Sequence, residues 1–135
     1  MSESILCYIE AINVEPTYAS AHFNLGSAYQ ELGEFSMAKE AYEKCVGIAP
    51  DHSQAHYNLG YVLQDMGDDD SAMACFQRSA ELDPEDVDSH INIGNIHRDK
   101  GRAEKAIKCY KEAVEVDPES VLAHYNLGSV CQVSV

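Results

Sequence analysis

The chain has 135 residues, enough for one ordinary domain, and 45% of them are hydrophobic, a globular rather than a disordered balance. Nine basic residues against 23 acidic ones give a formal charge of −14, which repels phosphate backbones, argues against nucleic acid and suits a neutral or basic polypeptide partner. No apolar run approaches the ~18 residues of a membrane helix, and Met1-Ser2-Glu3-Ser4-Ile5-Leu6 lacks the basic start and apolar stretch of a secretory signal. No membrane partner is expected, and the expected compartment is the cytoplasm or nucleus. The five cysteines agree, being odd in number and without a CxxC pair. Cys7, Cys75 and Cys109 share one repeat position and read as reduced core residues.

The first element, within residues 1–18, carries Ile5, Tyr8, Ile9, Ala11 and Ile12 and reads as a single helix. Two amphipathic stretches follow in residues 19–52. In the first, helix A, the apolar stripe is Ala21, Leu25, Ala28, Tyr29 and Leu32, and Gly33 ends it. In the second, helix B, the stripe is Met37, Ala38, Ala41, Tyr42, Cys45 and Ile48, and Pro50 closes it. The same unit recurs at 53–86 and at 87–120. Residues 121–135 hold a further helix A, with Ala123, Leu127, Gly128 and Val130, and no helix B. The interval is 34 residues: Pro16, Pro50, Pro84 and Pro118 keep it, as do Gly26, Gly60, Gly94 and Gly128. So do His22, His56, His90 and His124, and Asn24, Asn58, Asn92 and Asn126. A glycine inside a helix costs about 1 kcal/mol relative to alanine, so its recurrence predicts close contact with the neighbouring helix. The run Asp68-Asp69-Asp70 predicts a cap at the start of a helix B.

This pattern resembles the tetratricopeptide repeat, a family of helix–turn–helix units of 34 residues. The residues that carry the resemblance are Leu25-Gly26, Tyr29, Gly33, Ala38, Tyr42 and Pro50, with their copies Leu59-Gly60, Gly67, Ala72, Phe76 and Pro84, and Ile93-Gly94, Gly101, Ala106, Tyr110, Ala113 and Pro118. There are departures: histidine at His22 and its copies where a large aromatic is usual, His97 for the tyrosine matched by Tyr29, and Cys45 and Ser79 for a small alanine. The resemblance implies an all-α fold. It would be an α-solenoid of antiparallel helix–turn–helix repeats in a right-handed superhelix, with A helices lining a concave groove. It also implies a non-catalytic protein-interaction module, and no nucleophile with a base at motif spacing argues otherwise.

The groove stripe expected on the A helices includes Phe23, Asn24, Tyr57, Asn58, Tyr61, Ile91, Asn92, Asn95, Arg98, Tyr125 and Asn126. Asparagine donates and accepts, so a row of them can pair with the main chain of an extended peptide, while the aromatics add apolar contact. The same amides can instead bond to neighbouring helices and set repeat geometry. In the amide row the chain is similar to the repeat arm of O-linked N-acetylglucosamine transferase, through Ala55-His56-Tyr57-Asn58-Leu59-Gly60 and Ala123-His124-Tyr125-Asn126-Leu127-Gly128. That resemblance implies an alternative role as the substrate-recognition arm of a larger enzyme such as a glycosyltransferase. The family's clamp for acidic C-terminal tails needs several basic groove residues, and only Arg98 is available.

Neither a metal nor a cofactor is expected. The histidine column belongs to helices ~8–10 Å apart, too far for one ion, and reads as packing between helices. The partial units at the two ends suggest a further alternative, an assembly scaffold or head-to-tail self-association between them.

Overall fold

Many helix starts and stops follow from local devices, and most of those devices recur. The computed structural model describes residues 2–133. Met1, Ser134 and Val135, part of the partial units expected at the ends, lie outside the described residues. Among the described residues the chain forms eight α-helices: α1 (Glu3–Val14), α2 (Ala19–Glu31), α3 (Phe35–Ile48), α4 (Ser53–Asp65), α5 (Asp69–Leu82), α6 (Val87–Asp99), α7 (Ala103–Val116) and α8 (Val121–Val133).

Three of the four A helices begin at side-chain caps one repeat apart, and α2, which follows Tyr18, has none. His52 Nδ1 accepts from the Ala55 N–H at 3.0 Å, Asp86 Oδ1 from the Ser89 N–H at 3.0 Å and Ser120 Oγ from the Ala123 N–H at 3.2 Å. Three different side chains thus satisfy the same orphan donor. At the start of α5, Asp68 accepts from the Ser71 N–H at 3.3 Å, and Asp69 and Asp70 occupy the first turn. The acidic run is a cap at the positive end of the helix dipole.

The A helices end at Gly33, Gly67 and Gly101, with φ of +77°, +86° and +76°. Each glycine N–H returns to a carbonyl three residues back, and the next N–H to one five residues back, as in Glu34 to Tyr29 at 2.9 Å. This closure needs a left-handed residue, which glycine supplies without a steric penalty.

By packing, the chain divides into two units, Met1–Cys75 and Phe76–Val135, and α5 runs across the division. In the first unit α1 packs on α2, α2 on α3 and α3 on α4. Ala38, Tyr42 and Cys45 of α3 are fully buried, with Ala21, Tyr29, Ala55 and Leu59 around them. A Cβ on Gly26 would lie 2.6 Å from the Tyr42 ring, so the missing side chain is what lets the two helices close. The second unit repeats the arrangement with α6, α7 and α8. Gly94 holds Tyr110 at the same 2.6 Å, in a core with Ile91, Ala106, Ala113, Ala123 and Val130.

Some expectations are corrected. Leu32 is 57% exposed because it is the C-cap before the glycine turn. Met37 and Ile48, expected in the helix B stripe, are 45% and 38% exposed near the ends of α3. Cys7 is exposed and Cys75 and Cys109 are half-buried; the fully buried cysteine is Cys45. Ile91, expected in the groove, lies in the core of the second unit. Three of the four column histidines act locally, while His90 on α6 reaches Glu112 on α7, its Nδ1 3.3 Å from Oε2. His22, His56 and His124 point Nε2 at the carbonyl of Pro16, Pro50 and Pro118, at 2.9, 2.9 and 2.8 Å. The proline and histidine columns share one interval because at three of the four positions the histidine ties the proline loop to the helix it precedes.

Replacing Gly26 with alanine should therefore lower stability. Overpacking against Tyr42 costs ~1–3 kcal/mol, which outweighs the gain of up to about 1 kcal/mol in helix propensity. At Gly128 an added Cβ meets nothing within 4 Å, so Gly128→Ala should be neutral or stabilising. Urea unfolding followed by circular dichroism distinguishes the two variants, and equal effects would refute the packing argument.

Candidate functional site

In each unit the tyrosine of helix B reaches through the core and ends among side chains of the A helices. In the first unit the Tyr42 hydroxyl donates to Gln30 Oε1 at 2.7 Å and lies 3.2 Å from Ser27 Oγ. It accepts from Asn58 Nδ2 at 3.4 Å, and Asn58 Oδ1 accepts from Gln54 Nε2 at 3.0 Å. Burial pushes the Tyr42 hydroxyl above the ordinary tyrosine range, so it is a neutral donor at pH 7. Phe23 packs beside this network, its ring centroid 5.8 Å from Tyr42 and 4.9 Å from His52.

In the second unit the Tyr110 hydroxyl donates to Asn95 Oδ1 at 2.5 Å, and Asn126 Nδ2 donates to the same oxygen at 3.4 Å. Asn126 is buried and Asn24 is exposed. Asn92 and Tyr57 are half-buried. Tyr61 and Tyr125 are 44% and 69% exposed. Arg98 pairs with its neighbour Asp99 at 3.3 Å, which weakens it further as an anion clamp. The structure thus brings Asn95 and Asn126 together, and Asn58 to Tyr42, and leaves Asn24 open.

Sequence reasoning took Tyr42 and Tyr110 as core alone and missed their hydroxyls. The signal was present, since a tyrosine rather than a phenylalanine at a buried helix position needs a polar partner. His52 was also missed; it is both the cap of α4 and a ring partner of Phe23. Among the described residues no three His, Cys, Asp or Glu side chains converge as a metal site would require. No helix among them is long and apolar enough to cross a membrane.

Paired helices closed by a glycine–tyrosine contact, with an amide-lined face on helix A, define an all-α tetratricopeptide solenoid. The family pattern described as TPR repeat matches residues 1–33 and 94–132, and patterns described as tetratricopeptide repeat match 19–52, 53–86 and 75–108. The chain belongs to the tetratricopeptide-repeat family. It is 45% identical over 42 residues to the probable UDP-N-acetylglucosamine–peptide N-acetylglucosaminyltransferase SPINDLY of Oryza sativa subsp. japonica, a match that covers 31% of this chain and 4% of that protein. Among solved structures it is similar to MamA, with a TM-score of 0.90 at 22% identity over 96% of this chain and 76% of that one. It is also similar to YrrB, described as a TPR protein with an unusual peptide-binding site, with a TM-score of 0.82 at 24% identity over 96% of this chain and 67% of that one.

Removing the tyrosine hydroxyl tests the network. Tyr42→Phe should cost about 1–2 kcal/mol in urea unfolding, since Gln30 loses its donor in a partly buried site. The side-chain amide NMR signals of Gln30 and Asn58 should shift with it.

Proposed function

We propose that the chain is a non-catalytic module that binds extended polypeptide on the amide-bearing faces of its A helices. The observation that carries this reading is the unused capacity at Asn58. One N–H goes to Tyr42 and one lone pair to Gln54, and a side-chain amide has two of each. What remains is one donor and one acceptor, the complement of a peptide unit. Tyr42 and Gln54 meanwhile hold the amide in one orientation, which lowers the ordering cost of binding. Asn24, exposed, offers the same pair one repeat earlier, and Tyr61 supplies exposed aromatic surface in the same unit. In the second unit Asn92, Asn95, Arg98, Tyr125 and Asn126 are the corresponding candidates, with Asn126 contributing least because it is buried. The net charge of −14 favours a neutral or basic segment. The peptide-binding site named for YrrB supports the same reading.

A second reading is favoured by the match to a peptide N-acetylglucosaminyltransferase: the chain is a substrate-recognition arm of such an enzyme. Both readings place peptide on the same amides. The length of the native polypeptide, measured by immunoblot with an antibody to these repeats, separates them.

An array of unrelated lysine-containing dodecapeptides, probed with the whole chain, should identify binders. Against the best of them, replacing both Asn24 and Asn58 with alanine should weaken affinity about tenfold or more, since each lost hydrogen bond is worth ~1 kcal/mol. The circular dichroism spectrum should not change. Unaltered affinity in a folded double variant would sink the amide reading.

A further inference from the structure

The duplication supplies an internal control on a second surface. In the first unit, α1, α2 and α3 enclose a cavity of about 180 Å³ lined by Ile9, Ile12, Tyr29, Met37 and Glu40, among others. In the second unit α5, α6 and α7 enclose its counterpart, and the lining positions correspond at two repeats' distance. That cavity has about 480 Å³, within the ~300–1,000 Å³ of ligand sites. The backbone scheme is shared, so the difference lies in the substitutions. Ile9 and Ile12 become Gln77 and Ala80, and Tyr29 becomes His97. The smaller Ala80 and His97 open the space. Met37 and Glu40 become Lys105 and Lys108, while Lys44 becomes Glu112 and Glu81 joins the lining, so two lysines and two carboxylates stand where the first cavity has one of each.

Each carboxylate at this cavity has a side-chain neighbour. Glu112 Oε2 lies 3.3 Å from His90 Nδ1, and Glu81 pairs with Arg78 at 3.2 Å. Among the described residues Lys105 and Lys108 make no ion pair. Six of the chain's nine basic residues fall between Arg98 and Lys111, in a protein that is otherwise strongly acidic. The local field is felt by His97. Burial first, and then Arg102, Lys105 and Lys100, hold its imidazole below the ordinary histidine range, and its buried Nδ1 has no hydrogen-bond partner. His90, Ile93 and His97 lie roughly half a turn round α6 from Asn92 and Asn95, because two residues advance a helix by about 200°. The cavity is therefore a different surface from the amide face, and it stands whether or not that face binds peptide.

We propose that the cavity between α5, α6 and α7 docks an acidic segment of a partner polypeptide, with Lys105 and Lys108 meeting its carboxylates and Gln77 bonding beside them. A polypeptide suits the site because the cavity is as large as a ligand pocket and its two unpaired ammonium groups stand three positions apart on one helix face, spaced for more than one carboxylate. The overall charge of −14 makes non-specific attraction of a polyanion negligible, so any affinity must be local.

The probe is a fluorescein-labelled hexaglutamate peptide, titrated into the whole chain and followed by anisotropy. Saturable binding is expected, with chemical shift changes confined to His97, Lys105 and Lys108 and their neighbours. The double variant Lys105→Met, Lys108→Glu, and separately His97→Tyr, install residues that the first unit carries at the same positions, so they should fold. Circular dichroism checks this. The double variant should weaken binding at least tenfold, and His97→Tyr should weaken it by refilling the cavity. Absence of saturable binding overturns the proposal, as does affinity unchanged in the folded double variant. Equal shift changes with hexalysine would overturn the charge argument. Saturation of the same resonances by inorganic phosphate alone, with hexaglutamate unable to displace it, would make the cavity a small-anion site and overturn peptide docking.

Discussion

A tyrosine ring lying on a glycine sets the distance between the two helices of a repeat. Gly26 receives Tyr42 and Gly94 receives Tyr110, and in both cases a methyl group would collide with the ring at 2.6 Å. Helix propensity alone disfavours glycine here. The contact outweighs it because close approach buries the whole ring and the alanines beside it, and such rings contribute several kcal/mol to a core. The turns follow from this spacing. Two antiparallel helices so close can be joined by a few residues only if the first ends abruptly, which the left-handed glycines allow.

The polar surface depends on the same contact. A ring pressed onto the glycine carries its hydroxyl past the helix backbone, where it must find partners. Tyr42 finds Gln30, Ser27 and Asn58; Tyr110 finds Asn95. The amides that would meet a ligand are therefore oriented by the core beneath them. In the intermediate repeat the ring is Phe76, which has no hydroxyl, and the position of Ser27 and Asn95 is taken by Tyr61. Loss of the buried hydroxyl goes with loss of the small polar partner, as the cost of an unpaired buried group requires.

Duplication also shows how one scaffold can present two different cavity linings. The positions that hold the helices together hardly vary between units, since any change there is opposed by close packing. The positions that line the cavities beside α2 and α6 are freer. There the chain has replaced isoleucine, tyrosine and methionine with alanine, histidine and lysine while keeping the helix ends and the glycine contact. Function can diverge at these positions without reopening the question of folding.

Much of the architecture was legible in the residues. Apolar spacing located the helices, the 34-residue interval located the units, and glycine and proline located the turns, because each acts through local sterics that need no distant partner. The cap at Asp68 was legible for the same reason. The interval could not say what the histidines do, since bonding to a proline carbonyl six residues back depends on how the loop folds onto its helix. It also placed Leu32 and Ile91 wrongly: a helical stripe gives a direction, whereas burial depends on what stands opposite. The amide row was visible by count, but the sharing of its bonds was not. Whether Asn24, Asn58 and Asn126 are open, half engaged or buried is decided by the neighbouring helix. The sequence by itself determined the repeat, its helices and its turns; only the tertiary structure decided which polar groups remain available, because hydrogen bonds between helices are set by packing rather than by spacing along the chain.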